Sequence, residues 1–296
     1  MSADLSILVA GIRLRAVSDR PFDLDEAFPR FESAGQADLE VHVRAGRLPS
    51  DRGERPVWDS GRGWTVSRRG EDQVLRVRGS SNLHPPSICV RVPASGGPAE
   101  AVLDGDRPLL YNVLSVPVGP VLLIGALHAR GGALLHGCGA RWGRRAWAFP
   151  ARSGGGKTTL AGNLVRVRGT TVLSDDTLGL VPSGGGWDLC GTPWSGHPEH
   201  AAAQQARLAG LGFLVKGPKS ATTPLAEAEA MRRVLARLFV PWWLPDGAAR
   251  AMSIARSIAG TVDARVATLT PTLSAAQFLA RAFAGRESRR MPLSLP

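Results

Sequence analysis

Lysine is nearly missing from this chain of 296 residues: Lys157, Lys216 and Lys219 are the only three among 36 basic positions. Arginine supplies the rest, which dilutes the meaning of any single arginine. Cysteine is equally sparse. Cys89, Cys138 and Cys190 form no C-x-x-C pair, which argues against a disulfide scaffold or a zinc framework and suits a reducing compartment. No run approaches the ~18 consecutive apolar residues of a membrane-spanning helix. Met1-Ser2-Ala3-Asp4 lacks the basic region and apolar stretch of a secretory signal. The expectation is a cytoplasmic protein with no membrane partner. No internal repeat is visible, and the absence of L-S-G-G-Q argues against an ABC-type ATPase.

What is present is a strong charge asymmetry. Residues 1–112 carry 15 Lys/Arg and 16 Asp/Glu, whereas residues 113–296 carry 21 and 9. The positive second part suits a nucleotide or an acidic peptide. Nucleic acid ranks lower, because the arginines are dispersed rather than gathered on one stripe. A homo-oligomer is compatible with the sequence, which does not specify one.

The chain is organised around Ala151-Arg152-Ser153-Gly154-Gly155-Gly156-Lys157-Thr158-Thr159-Leu160. The apolar run Ala146–Pro150 leads in and a helix-like run leads out, the layout of a phosphate-binding loop. Glycines let backbone N–H groups curl around an anion, and the following helix points its positive end at the same place. Ser153, Gly154, Gly155, Gly156, Lys157, Thr158 and Thr159 are therefore the candidate ATP-binding residues. Lys157 would meet the β- and γ-phosphates, and Thr158 would ligate Mg²⁺. The pattern G-x-x-x-x-G-K-[ST] has Ala151 at its first glycine, where a positive φ would bring strain.

Residues 4–112 read as a small antiparallel, β-rich module with alternating runs at 6–10, 39–43, 64–67, 74–77, 88–92 and 101–103. His42 and His84 stand alone there and read as structural. A helix over 113–130 is followed by strands at 133–136, 138–142 and 146–149, the loop and its helix. A strand ending in Asp175-Asp176 comes next, then a hairpin over 178–190. Further on, 211–215 and 266–269 read as strands, and 224–239, 247–258 and 274–283 as helices. Gly285 to Pro296 reads as a solvated tail. The domain division is thus 1–112, 113–284 and 285–296.

Asp175-Asp176 is the second strong feature. Open α/β sheets put ligands at the carboxyl ends of strands, so the pair and the loop are expected there on neighbouring strands. Adjacent strand residues point to opposite faces, which predicts distinct roles: one carboxylate on Mg²⁺, the other accepting a proton. His136 by itself reads as a satisfied core histidine. His197-Pro198-Glu199-His200 is not H-E-x-x-H and reads as a polar helix start. Trp242-Trp243, between Pro241 and Pro245, reads as a core contact or a peptide-docking surface.

Leu134-Leu135-His136-Gly137, Ser153-Gly154-Gly155-Gly156-Lys157-Thr158-Thr159-Leu160 and Val172-Leu173-Ser174-Asp175-Asp176 together resemble the catalytic core of the HPr serine kinase/phosphorylase family. Gly191-Thr192-Pro193-Trp194-Ser195-Gly196 resembles a stretch in divergent members, among them kinases that tailor ribosomal peptides such as lasso peptide precursors. The resemblance covers about residues 133–196. It implies an α/β fold with a P-loop kinase core of the HPr kinase/phosphoenolpyruvate carboxykinase type and a mixed sheet, preceded here by the β-rich module. It also implies Mg-ATP-dependent phosphorylation of a serine hydroxyl on a peptide or protein. Asp175 is then the acid/base, Asp176 a metal ligand with Thr158, and His136 a catalytic residue near the transferred phosphate, while Lys157 keeps its catalytic role in the loop. His197 stands where relatives carry an acidic residue, leaving Glu199 or His200 to substitute.

Two other readings compete. Arg152-Ser153-Gly154-Gly155-Gly156-Lys157-Thr158-Thr159 with Asn163-Leu164 is similar to the deviant loop of partitioning ATPases, which usually opens the chain and has lysine at the Arg152 position. A non-catalytic nucleotide-binding module is the third, supported by Ala151.

Overall fold

The computed structural model describes residues 3–79, 86–106 and 108–284, so His84 and the tail 285–296 lie outside the described residues. The chain is mixed α/β and rich in strands, and it divides into two compact units. One comprises the chain up to Arg130 together with Val240–Ala248. The other comprises Gly131–Phe239 and the chain from Ala249 onward. The first unit thus runs past residue 112 and also takes back a short later segment.

The first unit contains β1 (Ala3–Val9), β2 (Ile12–Ser18), β3 (Phe22–Asp23), β4 (Leu39–Ala45), β5 (Arg55–Asp59), β6 (Trp64–Arg69), β7 (Asp72–Val77), β8 (Ile88–Val92), β9 (Ala99–Leu103), β10 (Leu110–Tyr111) and α1 (Val118–Ala129). Eight strands form one sheet in the order β1-β2-β4-β9-β8-β7-β6-β5. The sheet is mixed, which corrects the antiparallel expectation: β2–β4 and β4–β9 are parallel. Alternation encodes which face is buried, whereas connection length governs direction. The two-residue turn Ala10-Gly11, with φ of +52° and +74°, forces β1 and β2 antiparallel. The longer links after β2 and β4 permit parallel returns. His42 pairs with Glu40 at 2.7 Å. The Trp242-Trp243 pair splits: Trp242 is exposed, while Trp243 is buried with ring centroids 5.5 and 5.9 Å from Trp58 and Trp64.

The second unit contains β11 (Ala133–Trp142), β12 (Arg145–Pro150), α2 (Lys157–Leu164), β13 (Thr170–Ser174), β14 (Thr177–Ser183), β15 (Gly186–Cys190), β16 (Gln205–Lys216), β17 (Ala221–Pro224) and α3 (Glu227–Leu235). It also contains most of α4 (Gly247–Thr261), β18 (Asp263–Leu269) and α5 (Leu273–Ala284). The apolar runs 133–136 and 138–142 form one strand rather than two. β11 pairs with β12 through Gly137–Trp142, with β14 through Ala133–His136 and with β13 through Gly139–Trp142. β12 and β13 are therefore separated by β11, not neighbours as expected, although both run antiparallel to it and so end on the same side. β12 also pairs parallel with β16, and β16 parallel with β18.

Helices α2 and α5 pack on this sheet. Trp147 and Phe149 project from β12 into a cluster with Leu160, Leu164, Leu279 and Phe283. The Trp147 and Phe283 rings stack at 3.9 Å with 5° between planes. Burying two large aromatic faces against each other is worth more than their area alone. Phe283→Ala is expected to cost about 3–5 kcal/mol of unfolding free energy, read from chemical denaturation, because the stacked partner is left facing a void.

Candidate functional site

β12 delivers the chain to the glycine loop. Gly154 and Gly156 have φ of +72° and +96°, the left-handed region that glycine enters without strain. Gly155 is excluded from bearing a side chain for another reason: a Cβ there would fall 2.8 Å from both the Ala151 Cβ and the Arg152 carbonyl oxygen. Ala151 is not in the left-handed region, and its methyl group is buried. The strain expected from the missing first glycine does not arise, because the loop places its left-handed residues later. Gly156 is the N-cap of α2 and contributes no side-chain cap, so the first N–H groups of the helix are left for another acceptor.

These groups open on a cavity of about 450 Å³. Loop residues 153–156 and the start of α2, Lys157, Thr158 and Thr159, line one wall. Leu214–Gly217 at the end of β16 and Leu269–Thr272, from the last residue of β18 onward, line the other, and Asp176 is the one carboxylate among the lining residues. The cavity sits at the carboxyl ends of the parallel strands β12, β16 and β18, where open sheets place ligands.

Lys157 is buried at the start of α2. Its ammonium donates to His136 Nε2 at 2.9 Å and reaches the carbonyls of Arg152 and Ala151 at 3.3 and 3.4 Å. Burial lowers its pKa, with Asp176 and Asp175 opposing. An ammonium can only donate, so Nε2 accepts, and the proton of a neutral ring lies on Nδ1. That nitrogen faces Asp176 Oδ1 at 3.4 Å. Burial is the main cause that lowers the His136 pKa; Asp176 pulls it up, and Lys157 and Arg237 push it down. Lysine, neutral histidine and carboxylate thus form one chain of contacts beside the cavity.

Asp175 is handled differently. It is 1% exposed, and its oxygens are taken from within the protein. Oδ1 accepts from Ser195 Oγ at 2.5 Å and from the N–H groups of Gly196 and His197 at 2.6 and 3.4 Å, and Oδ2 faces His200 Nδ1 at 3.1 Å. Burial raises its pKa, but the bonds from Ser195, His200 and Gly196 outweigh it and hold the carboxyl below its usual range. Segment 191–200 is brought there by Gly191, where any Cβ would lie 1.9 Å from the Ala202 carbonyl oxygen and 2.6 Å from that of Leu173. Thr192 Oγ1 fastens it to the Thr177 carbonyl at 2.7 Å. The His197 ring faces Glu199 at 3.6 Å and lies 5.4 Å from the His200 ring, so of the two side chains it is that of His200 which contacts Asp175.

Compared with protein-family models, the chain matches none, and compared with curated proteins it matches none either.

The sequence-selected residues separate into two groups. Ser153 to Thr159 and Asp176 line the cavity, and His136 contacts Lys157 and Asp176; Asp175 is sealed behind them. Sequence reasoning missed Arg237, whose carbonyl accepts from His136 N–H at 2.8 Å. One arginine in so arginine-rich a chain carries no local signal. It also missed Ser195 as a carboxylate partner, although the Gly-Thr-Pro-Trp-Ser-Gly stretch marked the place.

Two measurements follow from this electrostatic arrangement. In an NMR titration, His136 is expected to titrate below the ordinary ~6.5 of histidine; Asp176→Asn should lower it further and Lys157→Ala should raise it. Its depressed value makes the fold lose stability as pH falls below that ordinary value, since the unfolded chain binds the proton more readily. Asp175→Asn is expected to cost about 3 kcal/mol at neutral pH by breaking a buried, bonded charge. A depressed carboxyl stabilises above about pH 4 and loses that contribution as pH drops through its folded value, so the difference between wild type and variant should shrink in acid.

Proposed function

We propose that this protein is an ATP- and Mg²⁺-dependent kinase of the HPr kinase-like type, transferring the γ-phosphoryl group to a serine-type hydroxyl of a peptide or protein. One observation carries the reading: an uncapped helix start, a buried lysine and an exposed carboxylate face the same cavity.

The residues present fit the cofactor. Unpartnered N–H groups at the start of α2, behind left-handed glycines, suit phosphate oxygens. Among the described residues no group of three or more His, Cys, Asp or Glu could cage a metal. Magnesium carried on phosphates needs none, because one or two protein oxygens suffice. Thr158 and Asp176 would provide them. Bound Mg-ATP would supply the phosphoryl group and a leaving group whose charge the metal shares.

The protein would contribute position and charge, which is most of what phosphoryl transfer requires. The loop amides hold phosphate oxygens in place, and Lys157 places a cation among them. His136, kept neutral, orients the lysine and the Asp176 carboxylate without adding a competing charge. Asp176, the lining carboxylate, would share the metal with Thr158. Asp175, expected as the acid/base, is better placed to anchor segment 191–200 and thereby the end of β13.

Incubation with Mg-ATP and candidate acceptor peptides, followed by mass spectrometry, tests the reading. Lys157→Ala and Asp176→Asn are each expected to lower transfer about 10²–10³-fold, the scale of losing one charge-stabilising group, with melting profiles that remain cooperative. ATP hydrolysis with no phosphorylated product would favour the partitioning-type ATPase instead, and nucleotide binding without turnover would favour a non-catalytic module.

A further inference from the structure

We infer that Lys216 is a second phosphate-binding cation of the cavity, meeting the α-phosphate of the nucleotide on the side away from the transferred group. The inference rests on the nucleotide-binding part of the reading above and names a residue that the phosphate-loop pattern does not contain.

Of the three lysines among 36 basic positions, two line the cavity: Lys157 and Lys216. They belong to opposite walls, since Lys157 starts α2 and Lys216 ends β16. The direction of the Lys216 side chain follows from strand alternation. Gly212 faces Phe149, because a Cβ there would lie 2.8 Å from that ring. Leu214, two residues on, packs against the cluster that β12 forms with α2 and α5. Lys216 is the next residue of the same face, and its strand partner Leu269 packs against the same cluster. Phe213 points to the other face, where the Arg233 guanidinium of α3 lies 5.7 Å from its ring centre. The ammonium therefore projects on the side of the sheet that carries α2, its loop and the cavity. Lys216 is exposed, and its side chain has no ion pair or hydrogen bond among the described residues.

The sheet order gives its place along the ligand. Neighbouring strands run β13-β11-β12-β16-β18, about 4.8 Å apart. β12 delivers the loop. Asp176 follows β13, two strands to one side, and Lys216 ends β16, one strand to the other. Lys157 and Asp176 mark the reacting end, so a polyphosphate with its terminal groups there runs past the loop toward Lys216. Beyond Lys216, after β18, Thr270 and Thr272 line the cavity with their hydroxyls 2.9 Å apart, and Pro271 and Ala275 add apolar surface. Hydroxyls beside an apolar wall suit a sugar and a base. Lysine meets phosphate as a compact point charge. Mg²⁺ and one lysine leave a nucleoside triphosphate still anionic, so a second cation adds attraction.

The test is calorimetric titration of the full chain with Mg-ATP, Mg-ADP and magnesium pyrophosphate. Wild type, Lys216→Gln, Lys216→Arg and Lys219→Gln are compared, each checked for cooperative melting. Lys219 serves as the control, because it does not line the cavity. Lys216→Gln is expected to weaken ATP and ADP about tenfold, about 1.4 kcal/mol, and to leave pyrophosphate, which needs only the loop, within about twofold. Lys216→Arg should restore most of the nucleotide affinity, and Lys219→Gln should match the wild type. Unchanged nucleotide affinity in Lys216→Gln overturns the assignment. So does an equal loss for pyrophosphate, or the same loss in Lys219→Gln, since either reduces the effect to the general positive field. A wild type that binds no nucleotide overturns it together with the nucleotide reading. Transfer assays separate it from the kinase. Nucleotide binding that depends on Lys216, with no phosphorylated product, keeps the lysine and removes the kinase. Transfer whose KM for ATP is untouched by Lys216→Gln removes the lysine and leaves the kinase.

Discussion

A buried ammonium is the constraint on which the second unit depends. Taking a lysine out of water is costly unless its donors are met. Lys157 is met from three places at once: the loop carbonyls of Ala151 and Arg152, and the ring of His136 at the end of the β14-paired part of β11. That requirement fixes the loop against β11. His136 then fixes Asp176 at the end of β13, and the neighbouring Asp175 gathers segment 191–200. Four stretches distant in sequence are held in register by one chain of polar contacts. The stack of Trp147 on Phe283 and the packing of α2 supply the apolar support behind it.

The parts that could be read from the chain are those whose signal is local. Glycines followed by Lys-Thr, an apolar strand before and a helix after, located the loop and α2. The apolar strand ending in two aspartates located β13, and the 178–190 hairpin appeared as β14 and β15. Strand β2 was legible but unread: Ile12, Leu14 and Ala16 are buried and alternate with Arg13 and Arg15. What resisted reading was non-local. Spacing along the chain cannot say that β11 lies between β12 and β13, nor that β2, β4 and β9 run parallel. Alternation separates Asp175 from Asp176 but does not tell which side is sealed. That was settled by Ser195, Gly196 and His200, some twenty residues later.

The loop shows how a departure from a pattern can leave geometry intact. Ala151 occupies a pattern position that calls for glycine, yet the backbone demand falls on Gly154 and Gly156 and the steric demand on Gly155. The alanine methyl is buried under the loop, where it helps to exclude any side chain at Gly155. A consensus string records which residues are common, whereas φ angles and contact distances record which are required.

The segment Val240–Ala248 has a practical consequence. It belongs with the first unit, where Trp243 meets Trp58 and Trp64, yet it is inserted between Phe239 and Ala249 of the second. The polypeptide therefore passes from one unit to the other three times. No single cut releases either unit intact: a fragment starting at Gly131 would carry Trp243 stripped of its aromatic neighbours, and one ending at Arg130 would lose a side chain from its interior. Dissection of this protein calls for a redesigned linker in place of 240–248 rather than a truncation.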